Sequence, residues 1–203
     1  MLHLDHIAVL AETLDEAALH CETALGTPLA GGGSHAMFGT HNRLLGLGHG
    51  HYLEAIAVDP SAPAPGRARW FGLDSFAGPA RLDKWVCRVP DMVAALAALP
   101  EAGEPVTVER GNLRWIMAVP PDGLLPWDGL FPALIEWQSP VPPGMSMPGE
   151  GRRIQGLQVS HPLADRLERR LAPFLSAPVR FVCADTPALR AQIETPYGVK
   201  DLT

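Results

Sequence analysis

The sequence lacks the features that place a protein in a membrane, on nucleic acid or in an oxidising compartment. No apolar run approaches the roughly 18–20 residues that cross a bilayer, and the N-terminus carries acids and histidine where a secretory signal carries cations. The three cysteines, Cys21, Cys87 and Cys183, form no CxxC pair, which is typical of reduced thiols. The net charge is −6, without a basic block, which disfavours phosphate backbones as partners. We therefore expect a cytoplasmic protein that takes a small-molecule ligand, with no nucleic-acid or membrane partner.

Proline and glycine, in contrast, are abundant. The chain has 21 prolines and 20 glycines, and this abundance predicts short elements joined by frequent turns. Residues 59–66 and 139–149 are so rich in proline that we predict connectors there, because proline fixes φ and removes a backbone donor. The connectors divide the chain into three segments, 1–60, 80–139 and 152–203.

The first segment has the pattern of a strand, a helix and then antiparallel strands. Residues 2–10 alternate as a strand does, with His6 on the face opposite Asp5. Thr13 and Glu16 have capping-box spacing, and Gly26 stands where that helix would end. Residues 31–33 are all glycine and predict a loop. Residues 40–47 and 51–58 predict a hairpin.

The same order of elements recurs along the chain. Residues 82–89 predict a strand, residues 90–99 a helix, and residues 106–109, 113–119 and 133–138 further strands. Residues 3–9 align with 81–87, and residues 52–56 align with 134–138, which indicates a duplication. Residues 152–203 repeat the order in shortened form. The sequence therefore predicts an α+β fold of paired βαβββ modules with an appended partial third module.

Several motifs give the chain a resemblance to a known superfamily. A first strand reading Leu-Asp-His and a fourth strand reading Tyr-Leu-Glu resemble the vicinal oxygen chelate superfamily. Residues 32–45, 52–54, 59–60, 132–137 and 161–162 resemble, within it, the glyoxalase-like domain proteins. The resemblance implies that two modules form a curved cup. It also implies that the first and fourth strands of each module present ligands to a divalent metal ion that chelates substrate oxygens.

Transferred by position, the resemblance places the metal ligands at His6, Glu54, Lys84 and Glu136. Lys84 departs from the pattern, because an ammonium group cannot ligate a cation. Two outcomes stay open. Either a divalent metal ion binds His6, Glu54 and Glu136 while Lys84 turns away, or no metal binds and Lys84 neutralises both glutamates directly.

Other polar and aromatic side chains are candidates for substrate binding. His35, His41 and Asn42 adjoin the glycine-rich stretch, and satisfying turn backbone is the alternative role for them. Arg110 and Arg114 precede Trp115, and we take Arg114 as the candidate for a substrate carboxylate, with a solvated strand edge as the alternative. Trp137 belongs either to the wall of the cup or to the core.

The resemblance implies a glyoxalase-like enzyme of lyase, isomerase or dioxygenase type that acts on a small oxygen-rich molecule, a carbonyl or carboxylate compound. In this hypothesis Glu54 or Glu136 moves a proton, and Lys84 serves as the electrophile if no metal binds. The alternative is a non-catalytic protein that binds a small molecule in the same cup without metal. Two modules in one chain complete a cup, so a homodimer is allowed but not required. Both hypotheses need His6, Glu54 and Glu136 to converge on one concave surface.

Overall fold

The computed structural model describes all 203 residues and contains two β-sheets. The large sheet has eight strands from the first two segments, and the small sheet has four strands from the third. The elements of the first segment are β1 (His3–Leu10), α1 (Leu14–Leu25), β2 (Ala30–His35), β3 (Thr40–Gly46) and β4 (Tyr52–Val58). Those of the second are β5 (Arg81–Arg88), α2 (Met92–Ala98), β6 (Glu104–Arg110), β7 (Leu113–Val119) and β8 (Ala133–Trp137).

The large sheet is built from two similar halves that meet at its centre. Its strand order is β2-β3-β4-β1-β5-β8-β7-β6, with β1 parallel to β4, β5 parallel to β8, and β1 antiparallel to β5. The sheet curls, so that Arg110 at the end of β6 contacts His35 on β2 and Asn42 on β3. We call its concave inner face the cup. The paired βαβββ prediction is confirmed.

Helix α1 forms where local sequence signals coincide. The Thr13 side chain accepts a hydrogen bond from the Glu16 backbone, and the Glu16 carboxylate accepts one from the Thr13 backbone, which completes the predicted capping box. The helix ends at Gly26, whose φ of 67° suits glycine. Its apolar face packs on the outer side of the large sheet and leaves the cup free for polar groups. None of the helices has the length and apolar character required to span a membrane.

The small sheet contains β9 (Arg153–His161), β10 (Val179–Cys183), β11 (Ala188–Thr195) and β12 (Gly198–Leu202), with α4 (Ala164–Leu171) after β9. The predicted order βαβββ is present. However, β9 pairs in parallel with β10, whereas β1 and β5 pair in parallel with the fourth strand of their modules. Leu2 bonds through its backbone to Phe174 and Ser176, and one apolar core contains residues of both sheets.

Two predictions of local structure are wrong. Residues 31–33 belong to strand β2 rather than to a loop. The backbone of this segment pairs with β3, and backbone pairing does not depend on side chains. The connector at 139–149 is not wholly extended, since Pro143–Ser146 forms a short helix, α3, with proline at its first position. Pro143 lines the cup, so this connector covers part of the site.

Candidate functional site

One narrow cavity lies inside the cup, between the two halves of the large sheet. Its volume is about 30 Å³, enough for only one or two water molecules. Polar side chains and aromatic rings both line it, and the rings pack directly against the histidines, as Tyr52 does on His6 and Trp70 on His35. The lining residues are His6, His35, Asn42, Leu44, Tyr52, Glu54, Trp70, Phe71, Arg110, Trp115, Met117, Trp137 and Pro143.

Glu54 is the buried carboxylate of the cup. Strand β4 pairs with β1 and β3, and this pairing brings Glu54 between His6 and Asn42. The Asn42 amide donates to Glu54 Oε1 at 2.6 Å, and His6 Nε2 lies 3.5 Å from Glu54 Oε2. Burial alone raises the pKa of Glu54, but the His6 hydrogen bond and charge, with His35 and Asn42, lower it below its ordinary value. Glu54 is therefore ionised at neutral pH.

Asp5 also belongs to the site, although strand alternation predicts it on the other face. Strand β1 has an irregular register between Leu4 and His6, and such a bulge lets consecutive side chains share a face. His6 Nδ1 lies 2.8 Å from Asp5 Oδ1, and Trp137 Nε1 donates to Asp5 Oδ2 at 3.1 Å. No sequence signal for the bulge is visible, so the alternation rule misses Asp5.

His6 is held as an imidazolium between two carboxylates. Burial alone lowers the pKa of His6, but hydrogen bonds to Asp5 and Glu54 and their negative charges outweigh burial and raise it to about 9. The ring stacks on Tyr52 with 4.3 Å between ring centroids. Burial, with the charges of Asp5 and Glu54, raises the pKa of Tyr52 well above its ordinary value. Because the raised pKa keeps His6 protonated at neutral pH, both of its ring nitrogens are donors.

Arg110 and His35 form the opposite side of the polar cluster, where a guanidinium faces a neutral imidazole. Arg110 Nη1 donates to His35 Nε2 at 3.0 Å and to Asn42 Oδ1 at 3.2 Å. His35 Nδ1 lies 3.0 Å from Thr40 Oγ1, and since Nε2 accepts from Arg110, Nδ1 carries the proton. Burial lowers the pKa of His35 to about 4, and the positive charge of Arg110 contributes, against the opposing effect of Glu54. His35 is therefore neutral.

Glu136 does not join the site, and the predicted convergence of three side chains is wrong at this residue. Glu136 Oε2 accepts a hydrogen bond from the Met92 backbone at 2.6 Å, at the N-terminus of α2, whereas the next residue, Trp137, faces the cavity.

The register of β8 on β5 explains why Glu136 is not the counterpart of Glu54. Val86 opposes Ala133 as Ala8 opposes Glu54. In the repeat Val86 matches Ala8, so the counterpart of Glu54 is Ala133. Glu136 lies three residues further, and an odd shift reverses the face.

Lys84 neutralises neither glutamate. It is buried, its ammonium group pairs with Asp83, and the loop that contains Gly129 covers it. A Cβ on Gly129 would lie 2.8 Å from Lys84 Nζ. Burial lowers the pKa of Lys84, and the carboxylate of Asp83 opposes that effect. Of the two alternatives for Lys84, the one in which it neutralises Glu54 and Glu136 is wrong, because Asp83, its neighbour in sequence, supplies the carboxylate and Lys84 is turned away from both glutamates.

Two of the predicted substrate-binding residues lie outside the cavity. His41 alternates with Asn42 on β3 and faces a surface depression with Glu12 and Asp15. Arg114 is exposed and pairs with Glu109 at 3.6 Å, so of the two arginines before Trp115 it is Arg110 that reaches the cup. The remaining three predicted residues, His35, Asn42 and Trp137, line the cavity.

The residues of the cup do not fit a resident divalent cation. No three side chains of His, Cys, Asp or Glu converge in a way that could hold a metal ion. Of the expected ligands, only His6 and Glu54 line the cavity. In the second half of the sheet, Lys84 is the counterpart of His6 and Ala133 is the counterpart of Glu54, and neither can ligate a metal. Both nitrogens of His6 already face carboxylate oxygens, Nδ1 that of Asp5 and Nε2 that of Glu54. The arrangement instead suits direct acid–base and ionic contacts.

Comparisons with known proteins agree with this fold. Residues 4–175 match the family described as glyoxalase-like domain. A hypothetical protein from Staphylococcus aureus has a similar structure, with a TM-score of 0.64 and 15% identity over 100% of this chain and 99% of that one. No curated protein matches the sequence.

Two named enzymes are also among the solved structures with some similarity to this chain. Methylmalonyl-CoA epimerase from Mycobacterium tuberculosis has 23% identity and a TM-score of 0.44 over 69% of this chain and 89% of that one. A mutant of 4-hydroxymandelate synthase from Streptomyces coelicolor has 19% identity and a TM-score of 0.44 over 71% and 51%. The family match, however, spans most of the chain, and the resemblance found in the sequence is confirmed. The protein belongs to the glyoxalase-like domain family.

Proposed function

We propose that the protein is an enzyme that transfers a proton at a carbon next to a carbonyl group, with Glu54 as the base. The observation that supports this proposal is the state of Glu54. It is a buried carboxylate, kept ionised by His6 and Asn42, and it lines a cavity that holds no metal-ligand set. A carboxylate must be ionised to accept a proton from carbon, and Glu54 meets this condition.

The neighbours of Glu54 supply the stabilisation that such a step needs. Removal of a proton next to a carbonyl places negative charge on the carbonyl oxygen, and cations that face that oxygen lower the barrier. His6 carries a positive charge in contact with Glu54, and Arg110 carries another on the opposite side of Asn42. In this mechanism Glu54 takes the proton from carbon and returns it, and Arg110 and His6 stabilise the enolate oxygen.

Hydrogen–deuterium exchange tests this proposal directly. Small 2-oxo carboxylates in D2O, followed by proton NMR, are expected to lose the signal of the C–H next to the carbonyl when the protein is present. Glu54→Gln removes the base while keeping the shape of the side chain, so we expect a loss of about 100-fold or more in the exchange rate. Glu136→Gln is the matched control, because that carboxylate lies at a helix terminus, and it is expected to keep the wild-type rate. Equal rates for wild type and Glu54→Gln would refute the proposal.

A second candidate function is the binding of a small aromatic compound without turnover. The aromatic lining favours it, since five aromatic rings line the cavity beside the polar cluster, and flat rings stack well against such walls. They are Tyr52, Trp70, Phe71, Trp115 and Trp137. Calorimetric binding of an aromatic ligand to both wild type and Glu54→Gln, with no exchange of any carbon-bound proton of that ligand, would favour this function over catalysis.

A further inference from the structure

The arrangement of charge around the cup leaves one cation without an anionic partner. Arg110 donates to an imidazole nitrogen and an amide oxygen, both of them neutral groups, and forms no ion pair with a carboxylate of this chain. Arg88, the other arginine of this network, lies 3.8 Å from Asp5.

The carboxylates nearest to Arg110 already have other partners. Both Asp5 and Glu54 contact His6, and Asp5 also lies 3.8 Å from Arg88. Arg110 is partly buried and has only an imidazole nitrogen and an amide oxygen as acceptors, and a buried cation without an anion is costly. One negative charge from a ligand would balance it.

The position of Arg110 connects the two halves of the cup. Its stem crosses from β6 and lies over Gly33, where an added Cβ would be 3.3 Å from Arg110 Cδ. Its head reaches Asn42 and His35 on the other half. With this bridge in place the cavity is only about 30 Å³, too small for an organic ligand. Entry of a ligand therefore requires the bridge to open.

We infer that Arg110 is the carboxylate anchor of the cup and that the ligand is a small monocarboxylate with a flat apolar body. A carboxylate is a stronger acceptor for guanidinium than a neutral imidazole or amide, so it displaces His35 and Asn42 from Arg110 and opens the bridge. The apolar body then lies between Trp70, Trp115 and Trp137. This inference rests on the proposed function for the location of the ligand, not on the role of Glu54.

The test compares two probes of similar shape that differ in charge, 3-phenylpropanoate and 3-phenylpropanamide, by isothermal titration calorimetry. Wild type is expected to bind the carboxylate at least about tenfold more tightly than the amide, since a hydrogen bond to a charged group contributes that much. Arg110→Gln keeps an N–H donor but removes the charge, and it is expected to bring the ratio of the two affinities close to one. Arg110→Lys restores the charge and should recover part of the ratio.

Control variants separate this inference from the proposed function. Arg114→Gln alters the neighbouring exposed arginine and should keep the wild-type ratio. Glu54→Gln should also keep a preference for the carboxylate, even though it abolishes proton exchange. The anchor is refuted if wild type binds both probes equally, if it binds neither at millimolar concentration, or if Arg110→Gln retains the wild-type ratio. If Glu54→Gln exchanges protons as fast as wild type while the ratio of affinities is intact, only the role of Glu54 as base is refuted.

Discussion

At the scale of single residues, the site depends on two histidines with opposite protonation. His6 lies between two carboxylates and His35 between a hydroxyl and a guanidinium. The sequence shows both as histidines near apolar strands and cannot show which partners they meet. The partners come from strand pairing at long range and from the bulge at Leu4. The motif therefore predicts His6, Glu54, His35 and Asn42 as candidates, but it does not predict the network that sets their charges.

The opposite pKa shifts of His6 and His35 predict how the free energy of unfolding depends on pH. The pKa of His6 is raised to about 9 from about 6.5 in the unfolded chain, so its contribution is present in full below pH 6.5 and is lost as pH rises through 9. The pKa of His35 is lowered to about 4, so the unfolded state gains protons first and stability falls as pH drops from 6.5 towards 4. Together these two groups favour maximal stability near pH 6.5.

Urea unfolding at a series of pH values, with His6→Asn as the comparison, measures the first of these effects. The difference in the free energy of unfolding between wild type and variant should decrease between pH 6.5 and 9, by an amount on the order of 3 kcal/mol at most. NMR titration of the His6 ring gives the pKa itself, and Asp5→Asn should lower it. A His6 ring that titrates near pH 6.5 in the wild-type protein would contradict the arrangement of charges described above.

At the scale of elements, local signals predict where helices and strands lie, but they do not predict strand register. The capping residues of α1 and the order of the modules are evident in the sequence. The Leu and Glu residues shared by β4 and β8 align Glu54 with Glu136 in the sequence. In the structure β8 pairs with β5 so that Ala133, not Glu136, takes the position that Glu54 has in β4. A short, chance similarity between two strands cannot resolve a shift of three residues. The register is decided by packing of the whole sheet, which alternation alone does not describe.

The observed register assigns Glu136 a structural role that mutation can measure. Its carboxylate accepts from the first free N–H of α2, at Met92, while Asp91 accepts from Ala94. Loss of one such cap costs about 1 kcal/mol, with a further contribution from the helix dipole. Glu136→Ala should therefore lower the free energy of unfolding by about 1–2 kcal/mol, and Glu136→Gln, which keeps an acceptor, by less. Chemical denaturation measures both, and a Glu136→Ala variant as stable as wild type would contradict the cap.

At the scale of the whole molecule, the two sheets share one apolar core rather than forming separate units. Ile193 on β11 and Leu157 on β9 belong to the same cluster of 49 buried residues as Leu53 on β4 and Trp85 on β5. Arg170 on α4 bonds to Glu101 and to the carbonyl of Ala98, the last residue of α2. Because apolar and polar contacts cross the proline-rich connector, we predict that it does not separate independently stable parts. We expect the sheets to unfold together.

The distribution of tryptophan makes this expectation testable. All five tryptophans precede residue 138 and none lies in the small sheet. Trp127 packs against His161 of β9, so a Trp127→Phe background is used, in which tryptophan fluorescence reports the large sheet. Ile193 is fully buried in the small sheet, and Ile193→Ala should cost about 2–5 kcal/mol. If unfolding is cooperative, the denaturation midpoint followed by tryptophan fluorescence falls as far as the midpoint followed by circular dichroism. Val199→Ala, at a half-exposed position on β12, is the control. By either signal it should change the free energy of unfolding by no more than about 0.5 kcal/mol. A fluorescence midpoint that Ile193→Ala leaves unchanged would show that the large sheet and its cup are stable without the small sheet.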